Sequence, residues 1–231
     1  MQGRAARLRP ELVGLLTLFI LAGLILAFGL LAQEVLEGDT SAFDRRILLL
    51  FRDPSNLSHV IGPAWLPEMM RDLTSLGSTV VLGLVVLIVA GYLALARMPA
   101  ALALVLGSVL GGQAISTVLK VFFERARPDL IPGAPQVFTA SFPSGHAMLS
   151  AVTYLTLGAL LTRIEEKRSL KRYFMVVAVA LTMVVGASRV FLGVHWPTDV
   201  LGGWCVGAAW AMICSSVARR LQRRGKLERL N

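Results

Sequence analysis

Residues 12–32 read LVGLLTLFILAGLILAFGLLA, and no charged side chain interrupts them. About 20 apolar residues in a helix cross the roughly 30 Å hydrocarbon core of a bilayer. The run is longer than the apolar core of a signal peptide, which has about 7–15 residues, and no small-x-small cleavage site follows it. We therefore expect a transmembrane helix that is retained in the mature protein.

Five more apolar blocks of similar length follow along the chain. The composition agrees with a lipid environment, because 55% of the 231 residues are hydrophobic and only 16% are charged, against about 25% charged residues in soluble domains. The sequence predicts an all-α, polytopic membrane protein with six transmembrane helices and a single membrane-embedded domain over residues 1–231. The predicted spans are 12–32, 77–96, 99–119, 145–162, 173–190 and 198–217.

The distribution of charge predicts an orientation. The segments 1–11, 163–172 and 218–231, together with Arg97, share one side of the membrane and hold 15 of the 23 basic residues but only four acidic ones. Positively charged segments remain in the cytoplasm. We therefore expect both termini to be cytoplasmic.

The net charge of +9 does not indicate nucleic-acid binding, because the basic residues stand at the ends of apolar blocks and not along an aromatic-studded surface. Cys205 and Cys214 lie within one apolar block, where neither a disulfide framework nor a zinc site is expected.

Five glycines carry the small-xxx-small spacing that lets membrane helices pack closely: Gly107, Gly111, Gly112, Gly203 and Gly207.

Residues 33–76 form the longest predicted segment outside the membrane. Within it, residues 41–53 and 63–75 mix apolar and charged side chains at roughly helical spacing, which is typical of helices that lie on a membrane surface. A plain tether is the alternative interpretation. The function of this segment stays open at the level of sequence.

Polar residues gather at the borders of spans three to six, in three stretches: KVFFERARP at 120–128, FPSGH at 142–146 and SRVFLGVHWPTD at 188–199. Consecutive spans reverse direction, so the loops after the third and fifth spans lie on the same side of the membrane. The three stretches therefore meet at one membrane face. Arg125, within the first stretch, is interpreted as an ordinary interfacial anchor.

These stretches favour a phosphate site. Lys120, Arg127 and Arg189 are three cations in one place, and the planar fork of arginine suits phosphate oxygens. Ser144 stands where a helix N-cap is expected. The free amides of Gly145 and of the residue after it would then face an anion at the positive end of the helix dipole.

Two histidines add reactive groups to this site. His195 precedes Asp199 by four residues, a spacing that allows the carboxylate to hold one ring nitrogen as N–H and leave the other free to attack phosphorus. His146 is placed to donate a proton to the leaving oxygen. The residues alone do not exclude an exchange of roles between the two histidines, although Asp199 beside His195 favours His195 as the nucleophile. The cations stabilise the transferred charge without magnesium.

The three stretches resemble the three-part signature of the type-2 phosphatidic acid phosphatase family: K-x6-RP, PSGH and SR-x5-H-x3-D. The resemblance implies a helical bundle and a metal-independent phosphatase with no cofactor. It implies that the motif-three histidine, His195, is the nucleophile, with Asp199 as its partner and His146 as the acid. It assigns phosphate contacts to Lys120, Arg127, Ser144, Gly145 and Arg189.

The expected activity is hydrolysis of a membrane lipid phosphate, of the undecaprenyl diphosphate type or of the phosphatidic acid and phosphatidylglycerophosphate type, through a phosphohistidine intermediate. The expected place is a bacterial inner (cytoplasmic) membrane, with the site facing the periplasm or outside. A phosphate-lipid binding protein or transporter would use the same cations but needs neither an acid nor a nucleophile. A haloperoxidase has a similar site, but six spans argue against it. The lipid tail, the choice of mono- or diphosphate and the oligomeric state stay open.

Overall fold

The structure is a computed structural model that describes residues 10–130 and 139–223. Over these ranges the chain forms eight α-helices and one small hairpin, which confirms the all-α prediction apart from that hairpin. The elements, in chain order, are α1 (Pro10–Glu37), α2 (Ser41–Leu49), β1 (Arg52–Asp53), β2 (Asn56–Val60), α3 (Leu66–Ser75), α4 (Thr79–Leu95), α5 (Pro99–Phe123), α6 (Gly145–Ile164), α7 (Arg168–Phe191) and α8 (Pro197–Arg223).

Five of the described helices, α1, α5, α6, α7 and α8, are long and apolar enough to cross a membrane. The second predicted span, 77–96, corresponds to α4, which has 17 residues. This helix reaches the required length only together with α3, from which it bends by 44°. With α3 and α4 counted as one broken span, the number is six, as the sequence predicts. The terminal basic residues at 1–9 and 224–231 lie outside the described residues.

Helix α6 forms the centre of the bundle. It packs against α7 and α8 over much of its length and also contacts α4 and α5, whereas α1 packs on the outer side of α8. Large apolar side chains on the outer helices are exposed, among them Phe19 on α1 and Leu87 on α4. Such an apolar outer surface is what a lipid-facing bundle presents.

Glycines bring α8 directly against α6. A Cβ atom added at Gly203 would lie 2.7 Å from the carbonyl oxygen of Ser144, and one added at Gly207 would lie 2.5 Å from that of Met148. Gly111 makes room in the same way for the ring of Trp210. The predicted role in packing is wrong for Gly107, because none of the described residues lies within 4 Å of such an atom there.

The segment between α1 and α4 is folded and packed, which contradicts the plain-tether alternative. Its two predicted helices are present as α2 and α3, but α2 ends at Leu49 and the chain turns into the β1–β2 hairpin. The side chain of Asp53 accepts hydrogen bonds from the amide and the hydroxyl of Ser55, at 2.8 and 2.7 Å. This local turn, with Pro54 inside it, stops the helix where sequence periodicity would have continued it. Helix α3 packs on α7, and α2 contacts α8.

Candidate active site

A cavity of about 860 Å³ opens where α5, α6 and α7 reach the same face of the bundle. Six of the eight predicted site residues line it: Lys120, Arg127, Gly145, His146, Arg189 and His195. The other two, Ser144 and Asp199, are fully buried behind the wall. The three stretches of sequence therefore meet in one place, as the alternation of the spans requires.

Two of the cations come from the ends of helices. Lys120 lies in the last turn of α5, and its Nζ donates to the carbonyl oxygen of Ala140 at 2.5 Å. Arg189 lies in the last turn of α7, and its Nη1 donates to Thr74 Oγ1 at 3.1 Å. The Nε of Arg189 is buried and has no partner among the described residues. Its guanidinium therefore keeps donor capacity at the cavity wall.

The third cation, Arg127, is held by backbone and side-chain oxygens. Its Nε and Nη2 donate to the carbonyl and the hydroxyl oxygen of Thr139, at 2.9 and 3.1 Å, and its Nη1 donates to the carbonyl oxygen of Val194 at 2.8 Å. Burial lowers the pKa of Arg127, while the charge of Asp199 opposes that shift. The group nonetheless stays protonated, because a guanidinium is too strong a base to lose its proton in a protein near neutral pH.

The start of α6 contributes backbone donors. Ser144 is the N-cap, and its side chain accepts from the amide of Ala147 at 3.5 Å. The first amides of a helix have no acceptor within the helix, and Gly145 and His146 occupy these positions on the cavity wall. A Cβ atom added at Gly145 would lie 3.6 Å from Cε of Lys120. The cation and the helix terminus therefore converge on the same space.

His195 lies in the short connection between α7 and α8, with only 1% of its surface exposed. Its Nε2 is 3.1 Å from Nη1 of Arg127. Because a guanidinium only donates hydrogen bonds, Nε2 must be the acceptor and is unprotonated. The proton of the neutral ring is then on Nδ1, which lies 3.3 Å from the hydroxyl of Ser141 and 3.4 Å from Oδ2 of Asp199.

Burial also sets the protonation of this ring. It lowers the pKa of His195 to about 4; the hydrogen bond and the charge of Asp199 act in the opposite direction, and the charges of Arg127 and Arg189 lower the pKa further. The ring is therefore neutral near pH 7. A neutral imidazole with a free Nε2 is the form that attacks an electrophile.

Asp199, in the first turn of α8, is held by several donors. Its Oδ2 accepts from the hydroxyl of Ser141 in a short hydrogen bond and from the amide of Trp196 at 2.8 Å. Its Oδ1 accepts from Nη1 of Arg125 at 2.6 Å. The sequence predicts a direct contact between this carboxylate and His195. The structure has that contact, but it is long, and the hydroxyl of Ser141 lies within reach of both partners.

Ser141 and Arg125 are the site residues that sequence reasoning missed. Arg125 is not an ordinary interfacial anchor: its side chain is only 14% exposed and forms ion pairs with Asp199 and with Asp44 of α2. Its place between Lys120 and Arg127 was a signal that it lies near the site. No sequence pattern, however, indicates partners so far away along the chain.

His146 lies in the first turn of α6 and is half-buried at the cavity wall. Its ring forms no hydrogen bond with any of the described residues. Both histidines thus border one cavity, where the ring of His195 is fixed by neighbours on both nitrogens and that of His146 is not. The difference agrees with one oriented group and one group that exchanges protons with bound molecules.

The chain is similar to known phosphatases. A model of the PAP2 superfamily matches residues 101–223. Phosphatidylglycerophosphatase B of Bacillus subtilis (strain 168) is 32% identical over 203 residues, which cover 87% of this chain and 95% of the relative. An undecaprenyl-diphosphatase of Sulfolobus acidocaldarius is 35% identical over 74 residues, which cover 32% of each chain.

Solved structures share the fold. The crystal structure of a transmembrane PAP2-type phosphatidylglycerolphosphate phosphatase from Bacillus subtilis superimposes with a TM-score of 0.76 and 29% identity, covering 89% of this chain and 98% of that one. Aquifex aeolicus LpxE superimposes with a TM-score of 0.54 and 21% identity, covering 77% of this chain and 95% of its own, and shows likeness of fold alone. The region matched by the family model contains every predicted site residue. The chain therefore belongs to the PAP2 superfamily and is a multi-pass membrane lipid phosphatase.

Proposed function

We propose that the protein hydrolyses a phosphomonoester or diphosphate of a membrane lipid through a phosphohistidine formed on His195, without a metal ion. One observation carries this proposal. The unprotonated Nε2 of a buried, oriented His195 borders a cavity that is also lined by Lys120, Arg127 and Arg189. Such an arrangement puts a nucleophile where phosphate oxygens bind.

When substrate binds, a phosphate oxygen replaces Nε2 as the acceptor of Arg127 Nη1, which frees the lone pair of Nε2. In the first step, Nε2 of His195 attacks phosphorus, and the bond between phosphorus and the lipid oxygen breaks. His146, entering as the protonated acid, gives its proton to that oxygen, so the lipid leaves as an alcohol or as a monophosphate. In the second step, water attacks phosphorus and gives a proton to His146, and the bond between phosphorus and Nε2 breaks. Inorganic phosphate leaves, and both rings return to their starting states.

The cations and the helix terminus would bind the phosphoryl oxygens in both steps. Arg127 lies next to the attacking nitrogen, Arg189 has an unpartnered buried Nε, and Lys120 adjoins the start of α6. Fixed donors of this kind stabilise charge that develops in the transition state. Ser144 would contribute by capping α6 and directing the amides of Gly145 and His146 toward the anion. Among the described residues, no cluster of three or more His, Cys, Asp or Glu side chains is arranged to hold a metal ion.

The substrate class is a phosphatidyl lipid, such as phosphatidic acid or phosphatidylglycerophosphate, or undecaprenyl diphosphate. The similarity to phosphatidylglycerophosphatase B over most of both chains supports the first type, and the shorter match to an undecaprenyl-diphosphatase supports the second. Apolar residues of α5 and α6, Val121 and Leu149, also line the cavity. A lipid tail would leave the site between helices while its phosphate stays among the cations.

The proposed location is a bacterial inner (cytoplasmic) membrane, with both termini in the cytoplasm and the active site facing the periplasm or outside. The charge distribution supports this orientation, because 15 of the 23 basic residues belong to the side opposite the active site. Positively charged segments are retained in the cytoplasm.

The proposal is tested by release of inorganic phosphate from detergent-solubilised protein in the presence of EDTA. Phosphatidic acid, phosphatidylglycerophosphate and a polyprenyl diphosphate are compared in matched micelles. We expect full activity with the chelator and loss of turnover in His195→Ala, while His59→Ala, an exposed histidine of the hairpin, keeps wild-type rates. Loss of activity with EDTA would reject the metal-free step, and an active His195→Ala would reject the nucleophile. Acid-quenched phosphoprotein that is present in the wild type and absent from His195→Ala would identify the intermediate.

A further inference from the structure

The packed segment between α1 and α4 lies outside the region that matches the family model, which begins at residue 101. It nevertheless contacts two helices that carry active-site residues, α7 and α8. Arg52 of β1 donates to the carbonyl oxygen of Phe191, at the end of α7, at 2.5 Å. Thr74 of α3 accepts from Arg189, and Asp44 of α2 reaches the start of α8. The segment therefore has a direct structural connection to the site.

Asp44 makes the most extensive of these contacts. The carboxylate is fully buried. Its Oδ1 accepts from the amide of Thr198 at 3.0 Å, and its Oδ2 accepts from the hydroxyl of Thr198 at 2.6 Å. Thr198 immediately precedes Asp199, so Asp44 binds the first turn of α8 at the residue next to the partner of His195.

Arg125 joins the two buried carboxylates. Its Nη2 donates to Asp44 Oδ2 at 2.7 Å and to Thr40 Oγ1 at 3.0 Å, while its Nη1 donates to Asp199 Oδ1 at 2.6 Å and to Thr198 Oγ1 at 2.8 Å. A buried carboxylate is costly unless it is paired and hydrogen-bonded. One guanidinium satisfies this need for both, and its planar shape fixes the angle between them.

We propose that Asp44 and Arg125 are positioning residues that hold Asp199, and through it the ring of His195, in the orientation needed for attack on phosphorus. This inference rests on the proposed function, because it concerns the step in which His195 acts. Arg125 also lines the cavity, but both of its Nη atoms already donate to the two carboxylates and to threonine hydroxyls. Asp44 is fully buried away from the cavity lining. Both act through Asp199 and Thr198.

Loss of the charge of Arg125 and loss of the charge of Asp44 should change the protonation of His195 in opposite directions. His195 is faced by Asp199 from α8, by Arg127 after α5, by Arg189 from α7 and by Lys120 and His146 from α5 and α6. Loss of the Arg125 charge removes a cation that competes for Asp199, so the protonated form of His195 is stabilised. Loss of the Asp44 charge leaves Arg125 less compensated, so the protonated form is destabilised.

The experiment compares Asp44→Asn, Arg125→Gln and the double variant with Asp39→Asn, which makes the same chemical change at an exposed residue just before α2. We expect kcat to fall about 10- to 100-fold in each single variant, the range seen when a group that orients an active-site ligand is lost, with KM changed little. The double variant should lose less than the product of the two single losses, because both act through one network. Asp39→Asn should match the wild type.

The pH profile separates positioning from a general loss of structure. We expect the acid limb of kcat/KM to move to higher pH in Arg125→Gln and to lower pH in Asp44→Asn, measured on the same substrate. Shifts in the same direction, or no shift in either variant, would overturn the proposal. If Asp44→Asn cannot be purified as a monodisperse protein, Thr198→Val removes the shared hydroxyl but keeps both carboxylates. It should lower kcat several-fold, and a wild-type rate in that variant would also overturn the proposal.

The outcomes also distinguish this inference from the proposed function. If His195→Ala is inactive while Asp44→Asn behaves like Asp39→Asn, the positioning role fails and the phosphohistidine route stands. If His195→Ala keeps its activity, the proposed function fails whatever the result at Asp44.

Discussion

Nη1 of Arg127 lies 3.1 Å from Nε2 of His195. Since arginine has no acceptor, this one contact identifies the ring nitrogen that is free of a proton. It also means that a phosphorus atom within reach of Nε2 would be within reach of the guanidinium. The proposed nucleophile and one of the cations proposed to stabilise the transferred phosphoryl group thus contact each other in the substrate-free protein.

This contact between Arg127 and His195 predicts a large loss of catalytic activity in Arg127→Lys. Lysine keeps the charge but not the planar fork that binds Thr139 and Val194 and that is proposed to bind phosphate oxygens. We expect kcat/KM to fall about 10²- to 10³-fold, as on removal of one transition-state donor. The control is Arg71→Lys on α3, where the side chain is 67% exposed. Equal rates in the two variants would show that Arg127 does not contact the reacting group.

Ser141→Ala tests the hydroxyl that lies between His195 and Asp199. The change removes a donor to Asp199 and an acceptor for Nδ1, so the ring loses part of its orientation. We expect kcat to fall about tenfold, worth about 1.4 kcal/mol, with little change in KM. Ser150→Ala is the matched control, since within the described part of the chain that buried hydroxyl contacts only the carbonyl oxygen of Ala147 in α6, to which it donates. A similar loss in both would indicate a role in stability alone.

The pH dependence follows from the protonation of His195. Attack needs the neutral ring, and burial lowers its pKa to about 4. Activity that depends on this ring should therefore be retained as the pH falls through about 6.5, the ordinary value for histidine, and be lost only near pH 4. The measurement is kcat/KM of the free enzyme from about pH 3.5 to 7.5, divided by the fraction of dianionic substrate, because a phosphomonoester titrates near pH 6. An acid limb that stays near the ordinary histidine value after this correction would contradict the prediction.

Gly203→Ala should reduce stability and activity together. The new methyl group would lie 2.7 Å from the carbonyl oxygen of Ser144, so α8 must move away from the start of α6. Overpacking of this kind costs about 1–3 kcal/mol, which would lower the thermal midpoint by several degrees. In Gly83→Ala of α4, the new methyl group meets no atom within 4 Å over residues 10–130 and 139–223, and both quantities should stay unchanged. A stable, active Gly203→Ala would show that the two helices are less closely packed than the structure indicates.

The orientation in the membrane is tested by labelling single cysteines. Cys205 and Cys214 are first replaced by alanine, and a cysteine is then placed at the exposed Asp129, next to the active site, or at the exposed Glu166, between α6 and α7. We expect an impermeant thiol reagent to label the first in intact cells and the second only after lysis. The reverse pattern would place the active site in the cytoplasm.

The overall fold and much of the site follow from short-range features of the sequence. Apolar blocks about 20 residues long predict the helices, and the alternation of their direction brings Lys120, His146 and His195 to one face. The residue at which α2 ends is harder to predict from the sequence. Its periodicity continues past Leu49, and the turn that stops it depends on the side chain of Asp53 binding Ser55.

The supporting contacts of the site were beyond prediction for a different physical reason. Ser141 and His195 are 54 residues apart, and Arg125 and Asp199 are 74 residues apart. These pairs belong to separate elements, so no helical or strand periodicity relates them. A charged residue near a membrane boundary has the same local pattern whether it faces water or pairs with a buried carboxylate. Only the packing of α2 and α8 distinguishes the two cases for Arg125.

The bond between Asp44 and Thr198 closes a loop of 154 residues and has a consequence for biosynthesis. Chains emerge from the ribosome N-terminus first, so Asp44 and Arg125 are made long before the helix that begins at Pro197. Until that last helix inserts, neither Asp199 nor His195 has a completed environment. If His195 and Asp199 act as proposed, we expect a nascent chain arrested before α8 to have no phosphatase activity, so that activity arises only after the whole bundle has been translated.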